Sequence, residues 1–181
     1  TKDRVYVDVL SESINNPLRL VMGWSMVDAS TLPPASVLLA YWFGGAFLMN
    51  CKRLAEYRDI VSQGMAEQLK LYRRSFRFYS ERSLMVASLT YAMLSGFFIG
   101  AFLVKYRAEY IVLLPFLTLL FAEYFRLAMI SGSVARKPEK LFGARRLMSY
   151  GVLISVLFFV LTFIDLPWVG FISEPNLIEI Q

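Results

Sequence analysis

Residues 36–51 read SVLLAYWFGGAFLMNC, with no charge among them, and residues 52–59 directly after them read KRLAEYRD. The uncharged stretch suits a helix buried in hydrocarbon, and the charged octet marks where that helix meets water or a polar site. If the helix continues through the junction, Lys52 and Glu56 stand one turn apart on one face, with Arg53 and Asp59 beside them. Charges at the end of an apolar helix lose hydration, so their presence points to a site.

The rest of the 181 residues extends the same reading. Hydrophobic residues make up 57% of the chain and charged residues 18%, and mean hydropathy is +0.51. That is more apolar than a water-soluble domain of this length requires. The chain has one cysteine and no histidine. An internal disulfide, a histidine-based zinc site and a histidine-dependent triad are therefore excluded, leaving carboxylates, tyrosines, lysines and arginines for any acid–base or metal chemistry. No nucleic-acid partner is expected. The first residues, Thr1-Lys2-Asp3-Arg4, contain no initiator methionine and no signal-peptide pattern, and the expectation is the C-terminal part of a longer protein.

Hydropathy predicts an all-α, polytopic integral membrane bundle in a single domain over 1–181, with five spans at 5–27, 36–51, 83–104, 111–129 and 147–164. Breaks fall at Thr31-Leu32-Pro33-Pro34, Lys105-Tyr106-Arg107 and Ser131-Gly132-Ser133. Positive charge then orients the spans. Residues 52–82 carry Lys52, Arg53, Arg58, Lys70, Arg73, Arg74, Arg77 and Arg82, and residues 134–146 carry Arg136, Lys137, Lys140, Arg145 and Arg146. Both stretches are expected inside, which places the start of the chain inside and its end outside. The basic, aromatic loop of 52–82 has two readings, an interfacial segment held by anionic membrane lipid or a lid over an anionic substrate. The tail, 165–181, reads as an outer-interface anchor.

The first segment carries Asp8, Glu12, Asn15, Asn16 and Arg19 at spacings of three and four, so they share a helix face that does not suit lipid. Pro17 removes a backbone hydrogen bond and predicts a kink near Asn15. With alternating orientation, Asp8 and Glu12 come to the same membrane face as Asn50, Lys52, Arg53 and Glu56, joined there by Glu123, Tyr124 and Arg126. Such a mixture fits a diphosphate bound through a divalent metal: carboxylates hold Mg2+, Lys and Arg hold phosphate oxygens, and the apolar interior takes a lipid chain. The same polar groups would equally serve to pair helix with helix.

At this point the chain resembles the second half of the UbiA superfamily of intramembrane prenyltransferases, a nine-helix fold of which these segments would be helices five to nine. The resemblance rests on Asp8-Val9-Leu10 leading to Leu18-Arg19-Leu20-Val21-Met22-Gly23, on Lys52-Arg53-Leu54-Ala55-Glu56, and on Tyr79-Ser80-Glu81-Arg82-Ser83-Leu84. It implies a Mg2+-dependent transferase in a membrane, the bacterial inner membrane above all, with its site facing the cytoplasm. It also implies catalytic Lys52 and Glu56, metal ligands Glu56 and Asp59, and substrate contacts from Asn16, Arg19, Arg53, Tyr57, Arg73 and Arg74. Its partners would be a polyprenyl lipid and a diphosphate-containing small molecule. The Lys-Arg-x-x-Glu form is more like the branch that moves phosphoribose from phosphoribosyl diphosphate to polyprenyl phosphate. The family's first motif, Asn-Asp-x-x-Asp-x-x-x-Asp, does not occur in these residues. Either it lies upstream, or the protein is a non-catalytic accessory subunit of a membrane complex; a transporter and a homo-oligomer also stay open.

Overall fold

Proline, glycine and serine set where the helices start and stop. The computed structural model of the chain describes residues 5–64, 79–106, 108–130 and 138–164. Helix α1 covers Val5–Ser13 and α2 covers Asn15–Val27, separated by a turn at Ile14. The segment expected at 5–27 is therefore two helices, and the break sits where Pro17 predicts it. Pro17 has no N–H to offer the Ser13 carbonyl, although as the third residue of α2 it fits that helix's first turn. The loosened end of α1 is held at the Leu10 carbonyl, which accepts from the Trp42 indole of the next long helix at 3.0 Å and from the Ser13 hydroxyl of α1 itself at 3.1 Å.

Helix α3, Ala35–Ser62, starts directly after Pro33-Pro34, and the Val37 and Leu38 amides bond the Pro34 carbonyl. It runs unbroken through the Cys51–Lys52 junction and stops at Gly64, whose φ of 73° gives the left-handed turn that glycine adopts without strain. Residues 52–62 of the stretch read as an inner loop are thus helical, and 65–78 lie outside the described residues. Helix α4, Glu81–Tyr106, is capped reciprocally: the Ser83 amide bonds the Ser80 hydroxyl and the Ser80 amide bonds the Ser83 hydroxyl, both at 3.1 Å. A 3-10 turn, Ala108–Val112, leads into α5, Leu113–Ala128, and a second, Pro138–Gly143, precedes α6, Arg145–Phe163.

Among the described residues there is no strand, so the fold is all-helical. Three stretches are long and apolar enough to cross a membrane: Glu81–Tyr106, Glu109–Ala128 and Arg145–Phe163. The divided α1–α2 and the long α3 are not among them, since Ile14 interrupts the first and Tyr41, Trp42, Asn50 and Lys52 dilute the apolar part of the second. The outward sides of the bundle carry Val86, Leu89, Met93 and Phe97 on α4 and Val152, Val156, Phe159 and Phe163 on α6, all exposed. Stripes of that kind suit hydrocarbon as their solvent.

Helices α1, α2, α4 and α5 pack on α3, and α6 packs on α5. Phe47 meets Phe121 and Tyr124 of α5 with ring centroids at 5.0 and 5.8 Å, and Phe43 stacks on Phe98 of α4 at 5.8 Å. Polar bonds fix the register between α3 and α4. The Asn50 amide donates to the Leu84 carbonyl at 2.7 Å and to the Ser88 hydroxyl at 2.8 Å, and the Ser95 hydroxyl donates to the Ala40 carbonyl at 3.0 Å. Gly44 and Gly45 permit close approach. A Cβ on Gly44 would lie 3.2 Å from the Ser95 hydroxyl, and one on Gly45 would lie 1.9 Å from the Asn16 amide nitrogen.

Candidate functional site

Because α1 runs beside α3, Asp8 and Glu12 face the segment just beyond Cys51. One helical turn separates the two carboxylates, and the fork of the Arg53 guanidinium spans that separation. One terminal nitrogen of Arg53 bonds Asp8 at 2.5 Å and the Tyr79 hydroxyl at 3.0 Å, while the other bonds Glu12. The Arg53 side chain is only 4% exposed. A guanidinium this buried requires countercharge, and α1 supplies two carboxylates for it. Tyr79, just ahead of α4, completes the enclosure and packs with Leu54 and Leu84.

The other residues of the charged octet divide by helix face. Lys52 points outward and is exposed, whereas Glu56 is buried and has no hydrogen bond or ion pair with another described residue. Tyr57 is half-buried against the Leu54–Tyr79–Leu84 cluster, and Asp59 is half-buried on the next turn. Arg58 reaches Glu81 at 3.2 Å and ties the outer end of α3 to the start of α4. Lys52 and Glu56 occupy neighbouring turns as spacing requires, but no ion pair joins them. Glu123 and Arg126 form a bidentate pair within α5, at 2.8 and 2.6 Å.

A cavity of about 960 Å³ lies beside this cluster, between α3, α4, α5 and α6. Along α3 it extends from Val37 to Leu48, a rise of roughly 16 Å. It therefore ends one turn short of Lys52. Its walls are almost wholly apolar. Of its polar lining groups, Ser95 is bonded to Ala40 and Ser155 to Gly151, whereas Asn16, Tyr41 and Tyr124 have no hydrogen bond to another described residue. Asn16 and Tyr124 belong to the half of the cavity nearer Lys52.

The expected site residues thus separate into groups. Asn16 lines the cavity, Lys52, Glu56, Tyr57 and Asp59 sit on the α3 extension beyond it, and Arg53 is engaged by α1. Arg19 is exposed on α2 and does not line the cavity. Arg73 and Arg74 lie outside the described residues. Two roles were not legible in sequence: Tyr79 as a ligand of Arg53, and Asn50 as the bolt between α3 and α4. The aromatic run ending at Tyr79 was the signal for the first, and Asn50 within an uncharged stretch was the signal for the second.

For a Mg2+ ion, Glu56 and Asp59 present two carboxylates on successive turns, and Glu56 is a buried acid without a described partner. Among the described residues no group of three or more His, Cys, Asp or Glu is arranged to hold a metal ion. The pair fits one side of a metal bound mainly by substrate oxygens and water, which is how Mg2+ is commonly held, and does not make a protein cage. Comparison of the chain with protein-family models, with curated proteins and with solved structures finds no match.

Proposed function

We propose that this chain contributes the lipid-binding half of a UbiA-type membrane transferase, acting on a polyprenyl substrate with diphosphate as the leaving group. The observation that carries this reading is the apolar cavity, which ends at Leu48, one turn from Lys52 and about two turns from Glu56. A prenyl chain would occupy the cavity, with Asn16 and Tyr124 near its polar end and the diphosphate at the α3 extension. Lys52, exposed and without an ion-pair partner among the described residues, is the cation free to meet phosphate oxygens. Arg53 holds α1 in place beneath it. Glu56, with Asp59, would hold Mg2+, which supplies charge neutralisation on the departing diphosphate. The carbon–oxygen bond to diphosphate breaks, and the carbocation-like centre left behind is captured by the acceptor in a space from which apolar walls exclude water.

In this reading α1–α2 and α3 complete five crossings, with the Lys52 end at the cytoplasmic face. Phosphoribosyl transfer to a polyprenyl phosphate uses the same cavity and the same leaving group, and the Lys-Arg-x-x-Glu form favours it. An accessory role draws support from the Arg53 and Glu123–Arg126 ion pairs, which join helix to helix or turn to turn. The deciding experiment is turnover by the full-length protein in lipid nanodiscs. Glu56→Gln and Lys52→Ala are each expected to lower turnover by roughly 100-fold or more with thermal stability retained. Undiminished activity in either variant removes that residue from the site.

A further inference from the structure

Helix α2 contains no buried residue. It packs on α3 with Asn16 against Gly45; Asn16, Pro17 and Leu20 are half-buried, while Asn15, Arg19, Met22 and Met26 on another side are exposed. Those four are spaced four, three and four, the interval of a helix–helix seam. All are exposed, Met22 at 68% and Met26 at 88%. Arg19 has no hydrogen bond or ion pair with another described residue.

The depth of Arg19 makes this exposure informative. Asn16 abuts Gly45, seven residues short of Lys52, and Arg19 lies one turn farther from the Lys52 end. The rise per residue puts Arg19 roughly 15 Å along the axis from Lys52 and roughly 12 Å from the end of α2 at Val27. Neither distance is within reach of an arginine side chain seeking water. With α1–α2 crossing the membrane as proposed above, a guanidinium facing hydrocarbon at that depth is costly, and such groups pair with an acid on a neighbouring helix. Methionines on the following turns provide an adaptable apolar surface for the same neighbour.

We infer that the Asn15–Arg19–Met22–Met26 stripe is the docking face for a further membrane helix that brings a carboxylate opposite Arg19. Charge complementarity at one end and apolar packing at the other define the partner: an apolar helix with one Asp or Glu at the depth of Arg19. This rests on the proposed reading in which α1–α2 crosses the membrane, goes beyond the catalytic part of that reading, and is tested without measuring turnover.

The test uses the full-length protein in its native membrane, with the photo-crosslinking residue p-benzoylphenylalanine at Met22 and, as a lipid-facing control, at Val152. The expected product at position 22 is a peptide adduct to an apolar segment carrying Asp or Glu within one turn of the linked residue, while position 152 yields lipid adducts. Arg19→Glu should lower the peptide adduct at least 10-fold, and changing the partner's acid to Lys in that background should restore it. Arg19→Gln, a milder change checked for folding by size-exclusion chromatography, should lower it in the same direction. Lipid adducts alone at position 22 would overturn the inference. So would adducts to residues 65–78 or 165–181 of this chain, a linked segment without an acid, failure of the charge reversal to restore the adduct, or an Arg19→Gln yield equal to the parent's.

Discussion

Arg53 and Lys52 are neighbours in sequence with opposite fates, and the difference is one of helix phase. Phe47, Cys51 and Leu54 are buried at spacings of four and three, and Arg53 turns inward beside Leu54 while Lys52 turns out. Removing the Arg53 charge strands Asp8 and removes the Arg53 hydrogen bond to the Tyr79 hydroxyl. Arg53→Met is expected to lower unfolding stability by roughly 3–5 kcal/mol, measured by thermal melting in detergent. Arg53→Lys should recover only part of that, because a single ammonium does not span Asp8 and Glu12 as the guanidinium fork does. A second residue-scale prediction concerns Asp28, in the turn after α2. The Ser30 hydroxyl, then the Thr31 hydroxyl and the Ser30 amide, hold its carboxylate at a pKa of about 2, below the ordinary 3.8. A depressed carboxylate contributes stability in full above its unfolded pKa and loses it as pH falls through the folded one. Trp24 donates to Thr31 at 3.1 Å and so reports on the turn. With Trp42 and Trp168 changed to Phe, Trp24 emission should hold steady down to about pH 4 and change between about pH 4 and 2. Asp28→Asn should remove that transition.

Elements meet here through small residues and buried hydrogen bonds as much as through apolar bulk. Gly45 lets α2 lie against α3, with the Asn16 amide in the space a side chain would need. Gly45→Ala should push α2 away and cost roughly 1–3 kcal/mol, whereas Gly45→Ala with Asn16→Ala should recover most of the loss. A melting series of the two single variants and the double variant measures the coupling, and additive losses would show that the two residues do not share one contact. Helix existence was legible from hydropathy, and the division near Asn15 was legible from Pro17. The continuation of α3 past Cys51 was legible too, since 57–82 reads as a helical extension followed by a basic, aromatic stretch; where the extension ends, at Ser62, was not. The extension is held by packing of Tyr57 and Ile60 on Tyr79 and Leu84 and by the Arg58–Glu81 pair. Those partners are 19 or more residues away in sequence, beyond the reach of any local pattern.

At the scale of the whole molecule, the apolar exterior of α4 and α6 and the apolar cavity between α3 and α6 have different uses. The first suits lipid as solvent; the second is a shaped space of about 960 Å³, within the range of small-molecule sites. Gly151 lines it, and an added Cβ there meets nothing within 4 Å. Gly151→Phe should therefore fill the cavity without displacing its walls. Retention of a long-chain prenyl phosphate by the detergent-solubilised protein is expected to fall at least about 10-fold, the equivalent of 1.4 kcal/mol, with the melting temperature close to the parent's. Undiminished retention would place the lipid chain elsewhere.

What the sequence determined by itself is the solvent and the element type: a 57% apolar composition with uncharged runs of membrane length leaves helices in a bilayer as the way to satisfy the backbone. It also determined which residue types are available for chemistry, and where Pro17 and Pro33-Pro34 interrupt the chain. The tertiary structure decided which face each charge occupies. Residues 36–51 are uncharged on every side, so no charge periodicity reveals how α3 is rotated, and rotation alone sends Arg53 to Asp8 and Glu12 while Lys52 stays exposed. The charged junction after Cys51 was visible from its letters; its division into a buried ion cluster and an exposed cation came from packing against α1.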